Sequence, residues 1–372
     1  MDPRLAQALV DGFAALALLA YALRVGPGRS PVRARLRFVF LLAGLFYAVR
    51  ALWYATLQPH YETASLMIAG VLPLGALVLA EALLRRHAPK LLKLAVLVGA
   101  GVATVAPLLP GGDWRGLALM AYVVGAFAAI WLLVLTRDRR SLAAAENATL
   151  DAISGALLAV ALLAATDFGD LAPVGLSGLG ALALAYAAAG ARPAGMAAVL
   201  GVALLLAAGL AAGAPDLPRL AICLSALGAL AVLLRLQAGG REDRRQTLLR
   251  TLASASDAGL AAFVADAARH PALADLALLE GDALGEYDAE ALRRAFARFP
   301  VVAAARLPDL DADAREQLLD LMTRHAATHA ALVSAAPLRL ALIATGATRA
   351  GDDEAELLVF QRLAARAARS GP

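Results

Sequence analysis

The chain is poor in charge and nearly free of cysteine. Only 17% of its 372 residues are Asp, Glu, Lys or Arg, against about 25% in soluble domains. That deficit argues against a simple soluble enzyme, a disordered chain or a nucleic-acid binder. The single cysteine, Cys223, excludes a disulfide framework and a thiolate metal cluster. Its apolar surroundings predict a small buried side chain. There is no Gly-x-Ser-x-Gly elbow, no lysine-bearing glycine-rich phosphate loop and no His-Glu-x-x-His run. Asp2 and Arg4 make too weak a basic region for a cleavable signal peptide, and the apolar stretch after them is long enough to span a bilayer.

What the chain does have is hydrophobic length, unevenly spread. It is 61% hydrophobic, with a mean hydropathy of +0.69. Residues 1–240 hold 18 basic and 11 acidic residues, whereas residues 241–372 hold 16 and 19. The two regions therefore have different solvents. A bilayer core requires about 20 mainly apolar residues in helical form. Nine segments qualify, near 5–23, 37–57, 64–84, 91–110, 116–136, 148–166, 171–190, 194–213 and 217–236, and the seventh or eighth is short enough to be re-entrant. Loops after the odd spans carry Arg24, Arg29, Arg33, Arg35 and Arg37, then Arg85, Arg86, Lys90 and Lys93, then Arg137, Arg139 and Arg140, then Arg192. Loops after the even spans carry His60 and Glu62, then Asp113 and Arg115, then Asp167 and Asp170, then Asp216 and Arg219. Basic loops mark the cytoplasmic side. The expected topology is an outside N-terminus, nine spans and a cytoplasmic C-terminal region in a bacterial inner membrane.

Few ionisable residues fall inside these spans. Asp11 and Arg50 each lie about two turns in from the outer end of the first and second helix, some ~9–10 Å below the outer edge at 1.5 Å per residue. Equal depth on antiparallel neighbours predicts an Asp11–Arg50 pair, because an isolated intramembrane charge costs roughly 3 kcal/mol or more. The pair reads either as a structural clasp or as a ligand or proton site. Trp53, Tyr54 and Tyr61 cluster at the first outer hairpin, as an interfacial belt or as a periplasmic aromatic site. Glu81 precedes Arg85 by four residues at the cytoplasmic edge, the favourable order for a helical ion pair. Pro73 predicts a kink in the third span. Broken helices do not recur at matching places in two halves, so an inverted-repeat transporter is not indicated.

Gly239 and Gly240 end the membrane part (1–240). Residues 241–269 read as one juxtamembrane helix, suited to packing on its own domain or to forming a dimer stalk. The remainder, 271–372, reads as a strand at 273–280, a helix at 288–298, a strand at 301–305 and a helix at about 312–327. Two apolar runs around Pro337 then suggest a hairpin, and a helix at about 353–368 closes the chain. The order α, β, α, β, α, β, β, α in about 130 residues suffices for one α+β domain.

The runs Ala331-Leu332-Val333-Ser334 and Pro337 to Gly346, the acidic turn Asp352-Asp353-Glu354 and the helix Leu357 to Ala364 resemble the closing hairpin and last helix of a GAF domain. The likeness covers roughly the last third of the chain and implies that the first helix, from 243, packs beside the last one. There is no cysteine for a bilin and no Asn-Lys-Phe-Asp-Glu run, so the resemblance implies a degenerate, ligand-free domain acting in dimerisation or protein contact. A multi-span region before a GAF-like module is also similar to the input half of membrane-bound histidine kinases. The phospho-acceptor, asparagine-box and ATP-lid sequences of such kinases are missing here, as are GGDEF-like and EAL-like sequences.

Two residue spacings resemble metal sites. Asp309, Asp311, Asp313 and Asp320 have the spacing of a calcium loop, but Ala314 stands where that loop requires glycine, and helix capping explains the same aspartates. His325 and His329 are four apart on the expected helix, without a third ligand for zinc. The expectation is thus a polytopic α-helical membrane protein with a small cytoplasmic α+β GAF-like domain. It would be a non-enzymatic sensor or regulator with no cofactor and no nucleic-acid partner. It would sit in the bilayer as a homodimer and contact a separate histidine kinase or other signalling protein. The alternative is a transporter with a regulatory tail. A membrane enzyme acting on lipid would need acid/base groups beside the cytoplasmic arginines, and none accompany them.

Overall fold

A computed structural model describes residues 2–25, 31–84, 86–109, 114–139, 144–167, 174–189, 201, 209, 217–238, 241–256, 258–270, 273, 275–297, 299–304, 307–344 and 354–370. The chain divides into two compact units. One comprises Met1–Gly28, Val32–Arg137 and Thr149–Ala238; the other comprises Gly239–Pro372 with Arg29–Pro31 and Asp138–Ala148.

The first unit is helical: α1 (Pro3–Val25), α2 (Pro31–Thr56), α3 (Pro59–Leu84), α4 (Lys90–Val105), α5 (Trp114–Leu135), α6 (Ala144–Ala164), α7 (Ser177–Ala188) and α8 (Leu217–Ala238). Prolines open α1, α2 and α3, where the missing N–H is one that no helix would satisfy. Seven helices, all but α7, are long and apolar enough to cross a bilayer. At 1.5 Å per residue the 23 residues of α1 reach roughly 34 Å. Helix α4 gains its length from a 3₁₀ turn over Ala106–Leu108. Helix α3 runs unbroken through Pro73.

The seventh expected span is a shorter object. Helix α7 has 12 residues, roughly 18 Å, too short for a bilayer core. It is buried along nearly its whole length, from Ser177 to Ala188. Glycine allows that enclosure, since a Cβ at Gly180 would stand 2.9 Å from Val160 Cα of α6. Of the span expected at 194–213, only residues 201 and 209 are described. Cys223 corrects another expectation: it is exposed on α8, beside exposed Leu220 and Leu227. Its apolar neighbours form an outward strip, which is what a helix meeting acyl chains presents.

The second unit runs α9 (Arg241–Ser254), α10 (Leu260–Ala267), β1 (Ala277–Glu280), α11 (Ala289–Phe296), β2 (Val301–Ala303), α12 (Ala312–Arg324), β3 (His329–Ala335), β4 (Leu338–Ile343) and α13 (Glu354–Ser370). The strands form one antiparallel sheet in the order β1-β4-β3-β2. Both faces are covered. Leu279, Val302, Ala330, Leu340 and Leu342 pack with Leu292 and Phe296 of α11 and Leu318 and Leu321 of α12. The alternate residues Ala331, Val333, Ala341 and Ile343 pack with Leu248 and Leu252 of α9, Phe263 of α10 and Phe360 of α13. Burial on both faces is why β4 reads as an almost continuous apolar run.

Two local expectations change here. The single helix expected over 241–269 is two, because Gly259 adopts φ 129° before α10, and the Ser256 N–H donates to Asp266 Oδ2 at 2.9 Å across the break. His325 and His329 do not share a helix face. Helix α12 ends at Arg324, and His329 is buried at the start of β3 with Nδ1 2.9 Å from Thr328 Oγ1. Three of the aspartates of the calcium-like spacing, Asp311, Asp313 and Asp320, have structural partners. Asp311 caps α12 by accepting from Ala314 N at 2.8 Å, and Asp320 accepts from Tyr287 Oη at 2.8 Å.

Candidate functional site: a buried arginine between two aspartates

The expected Asp11–Arg50 pair forms, as a two-pronged contact. Arg50 Nε donates to Asp11 Oδ2 at 2.7 Å, and Nη2 donates to Oδ1 at 2.5 Å. The Asp11 side chain is wholly buried and that of Arg50 is 7% exposed. The planar guanidinium fork matches a carboxylate in this way, which an ammonium could not. One turn earlier on α1, Gln7 Nε2 donates to Asp11 Oδ1 at 3.0 Å. One turn earlier on α2, Phe46 and Tyr47 lie under the guanidinium, with centroids 5.0 and 5.2 Å from Cζ. These i, i+4 and i, i+3 spacings are the ordinary neighbours on a helix face.

A second carboxylate joins the pair. Arg50 Nη1 donates to Asp167 Oδ2, and the Asp167 side chain is only 10% exposed. Asp167 ends the 3₁₀ turn that finishes α6. Its Oδ1 also accepts from Ser177 N, at 3.3 Å, where α7 begins. Ser177 Oγ accepts from Arg50 Nη2 at 3.2 Å and from Tyr47 Oη at 3.1 Å. Gly175, just before α7, fixes this approach: a Cβ there would stand 2.2 Å from Asp167 Oδ1. Gln7 holds the same backbone, accepting from Gly175 N at 2.5 Å and donating to Gly175 O at 3.3 Å. Four segments of chain thus meet at one guanidinium. Each charge-assisted bond offsets part of the several kcal/mol that burying such ions costs.

The structure therefore unites Asp11 and Arg50 and adds Gln7, Tyr47, Asp167 and Ser177. One signal for Asp167 was present in the sequence: the basic-loop rule assigns it to the same outer side as Asp11 and Arg50. Nothing in the sequence marked Gln7, Tyr47 or Ser177.

The other expected sites differ in character. Trp53 and Tyr54 stack tilted on each other at 4.4 Å between ring centroids, and Tyr61 pairs with His60 at 4.2 Å. They form two local pairs at the end of α2 and the start of α3. Glu81 binds Lys93 at 2.7 Å and accepts from Ala88 N at 2.7 Å, tying the end of α3 to the start of α4. Its expected partner Arg85 falls outside the described residues. A further pair was not anticipated: Arg137, with its side chain 1% exposed, donates to Asp151 at 2.6 Å.

Comparison of the chain with protein-family models, curated proteins and solved structures returns no match.

Proposed function

We propose that this chain is a non-enzymatic sensory or regulatory protein of a bacterial inner membrane. A stimulus acting at Asp11 and Arg50 would alter helix packing, and α9 would pass the change to a cytoplasmic GAF-like unit that contacts a signalling partner. The observation that carries this reading is the Asp11–Arg50–Asp167 cluster. It makes the contact of α1, α2 and the α6–α7 connection depend on a few polar bonds inside an apolar unit. Ionisable residues within membrane segments mark functional sites more often than ordinary ones do. The side-sorted loop charges support a C-terminal region in the cytoplasm. Packing of α9 and α13 on one sheet face supports the GAF likeness.

The test is hydrogen exchange of the full-length protein in nanodiscs. If the relay operates, Arg50→Gln changes amide exchange in α9 and α13 as well as around α1 and α7. Exchange that changes only within the helical unit overturns the relay. Solute flux in proteoliposomes that Asp11→Asn abolishes would instead establish the transporter alternative.

A further inference from the structure

The joined ends of α1 and α2 carry cations far from any acid of their own hairpin. No acidic residue occurs between Asp11 and Glu62, whereas Arg24, Arg33, Arg35 and Arg37 all fall there. Asp11 is bonded to Arg50, roughly 20 Å along α1 from Arg24. The two helices run side by side. A Cβ at Gly44 of α2 would stand 2.7 Å from Leu19 Cγ of α1, and the rings of Tyr21 and Phe40 lie 4.4 Å apart. Continued toward the connection at equal rise, this antiparallel register brings Arg24 level with Arg37. Arg33 lies one turn nearer the connection, on the same side of α2 as Arg37. Other cations at the corresponding helix ends have protein partners. Arg35 donates to Val78 O at 3.4 Å, Arg86 donates to Leu133 O at 3.2 Å, Lys93 binds Glu81 at 2.7 Å, and Arg137 binds Asp151. Arg37 is half-buried, yet its Nε is enclosed without a hydrogen-bond partner. Among the described residues no carboxylate pairs with Arg24 or Arg37.

We infer that Arg24, Arg33 and Arg37 form a headgroup site for an anionic phospholipid, seated where α1 meets α2. An unpaired cation within a membrane segment is costly, and a phosphate diester is the anion that the bilayer itself supplies at this depth. Helix α2 has 26 residues, roughly 39 Å, against a hydrocarbon core of about 30 Å. Arg37 lies roughly 9 Å along it. Its stem therefore crosses the edge of the hydrocarbon, and its guanidinium snorkels to the level of the phosphates. The planar fork suits two phosphate oxygens. Basic pockets between spanning helices hold anionic headgroups in this manner. The acyl chains have a path beside the site. Leu16 and Leu23 of α1 and Phe38 and Leu45 of α2 are exposed, and each pair repeats at two helical turns, which is one face of its helix. A choline headgroup would bring a further cation to three arginines, so the site selects net negative lipid. This inference rests on the membrane-spanning helices and stands apart from the relay.

The experiment is native mass spectrometry of the full-length protein released from detergent, titrated separately with phosphatidylglycerol, phosphatidylcholine and inorganic phosphate. The expected result is one phosphatidylglycerol adduct, retained in preference to phosphatidylcholine. Arg33→Gln and Arg37→Gln should each weaken it about fivefold. Arg35→Gln removes an arginine already bonded to α3 and should leave retention nearly unchanged. If the Arg37 variant does not fold, Arg24→Gln, at an exposed position, should show the same loss. Equal retention of the two lipids overturns the proposal. So does an equal loss in Arg35→Gln, which marks diffuse attraction to a basic surface. Inorganic phosphate that displaces phosphatidylglycerol overturns the lipid assignment in favour of a free anion. Because the readout is lipid retention, its failure leaves the relay to be judged separately by hydrogen exchange.

Discussion

Arg50 in the helical unit and Arg294 in the sheet unit each meet two carboxylates, under opposite conditions. Arg50 is 7% exposed and bonded to Asp11 and Asp167. Arg294 is 51% exposed and reaches Asp311 at 3.2 Å and Asp313 at 3.5 Å. Water pays most of the electrostatic cost around Arg294, so the arrangement is nearly neutral in energy. Around Arg50 the cost must be met by the protein's own bonds, and removing a partner leaves charge stranded. One arginine and two aspartates therefore make a removable surface contact in one unit and a structural commitment in the other.

The comparison can be broken most directly at Arg50. Arg50→Ala strands two buried carboxylates and should cost about 3–5 kcal/mol, read as a fall in thermal or denaturant midpoint of the full-length protein in detergent. A loss no larger than that of Arg294→Ala would mean that water reaches the cluster and that the contrast is false. The next effect is apolar. Leu318 is fully buried against the sheet, and Leu318→Ala should cost about 3 kcal/mol. Hydrogen exchange should quicken across α11, α12 and the sheet while α1 and α2 keep their protection. The smallest effect sharpens the surface side. The Ala314 N–H, and secondarily Arg294, hold the Asp311 carboxyl below its usual range. Such a group stabilises the fold above the ordinary aspartate value of about 4 and loses that contribution as pH falls through its lowered value. The advantage of wild type over Asp311→Ala should be complete at neutral pH and shrink in acid, as followed by urea midpoints across pH.

Much of this architecture is legible along the chain. The apolar helices announce themselves by length, and β4 by its run Leu338 to Ile343. Asp311 is readable as the cap of α12. The Asp11–Arg50 contact follows from helix rise alone, because equal depth on consecutive antiparallel helices brings the two side chains level. Asp167 was less legible. A carboxylate at a helix end is normally solvated, and only the return of the chain through Gly175 and Ser177 encloses it. Helix α7 misled for a related reason, since hydrophobicity reports burial without saying whether lipid or protein does the burying. Cys223 erred the other way, its apolar strip facing outward. The break before α10 rests on the positive φ of Gly259, which a helical periodicity passes over.

By itself, the sequence determined the two solvents, the long helices, the strand order along the chain and the level meeting of Asp11 with Arg50. These follow from short-range rules: helix rise, residue periodicity and the cost of charge in hydrocarbon. The tertiary structure alone decided that a second aspartate reaches the same guanidinium. Asp167 and Asp11 are 156 positions apart, and no local rule brings two like charges together; only the packing of α1, α2, α6 and α7 around Arg50 does so.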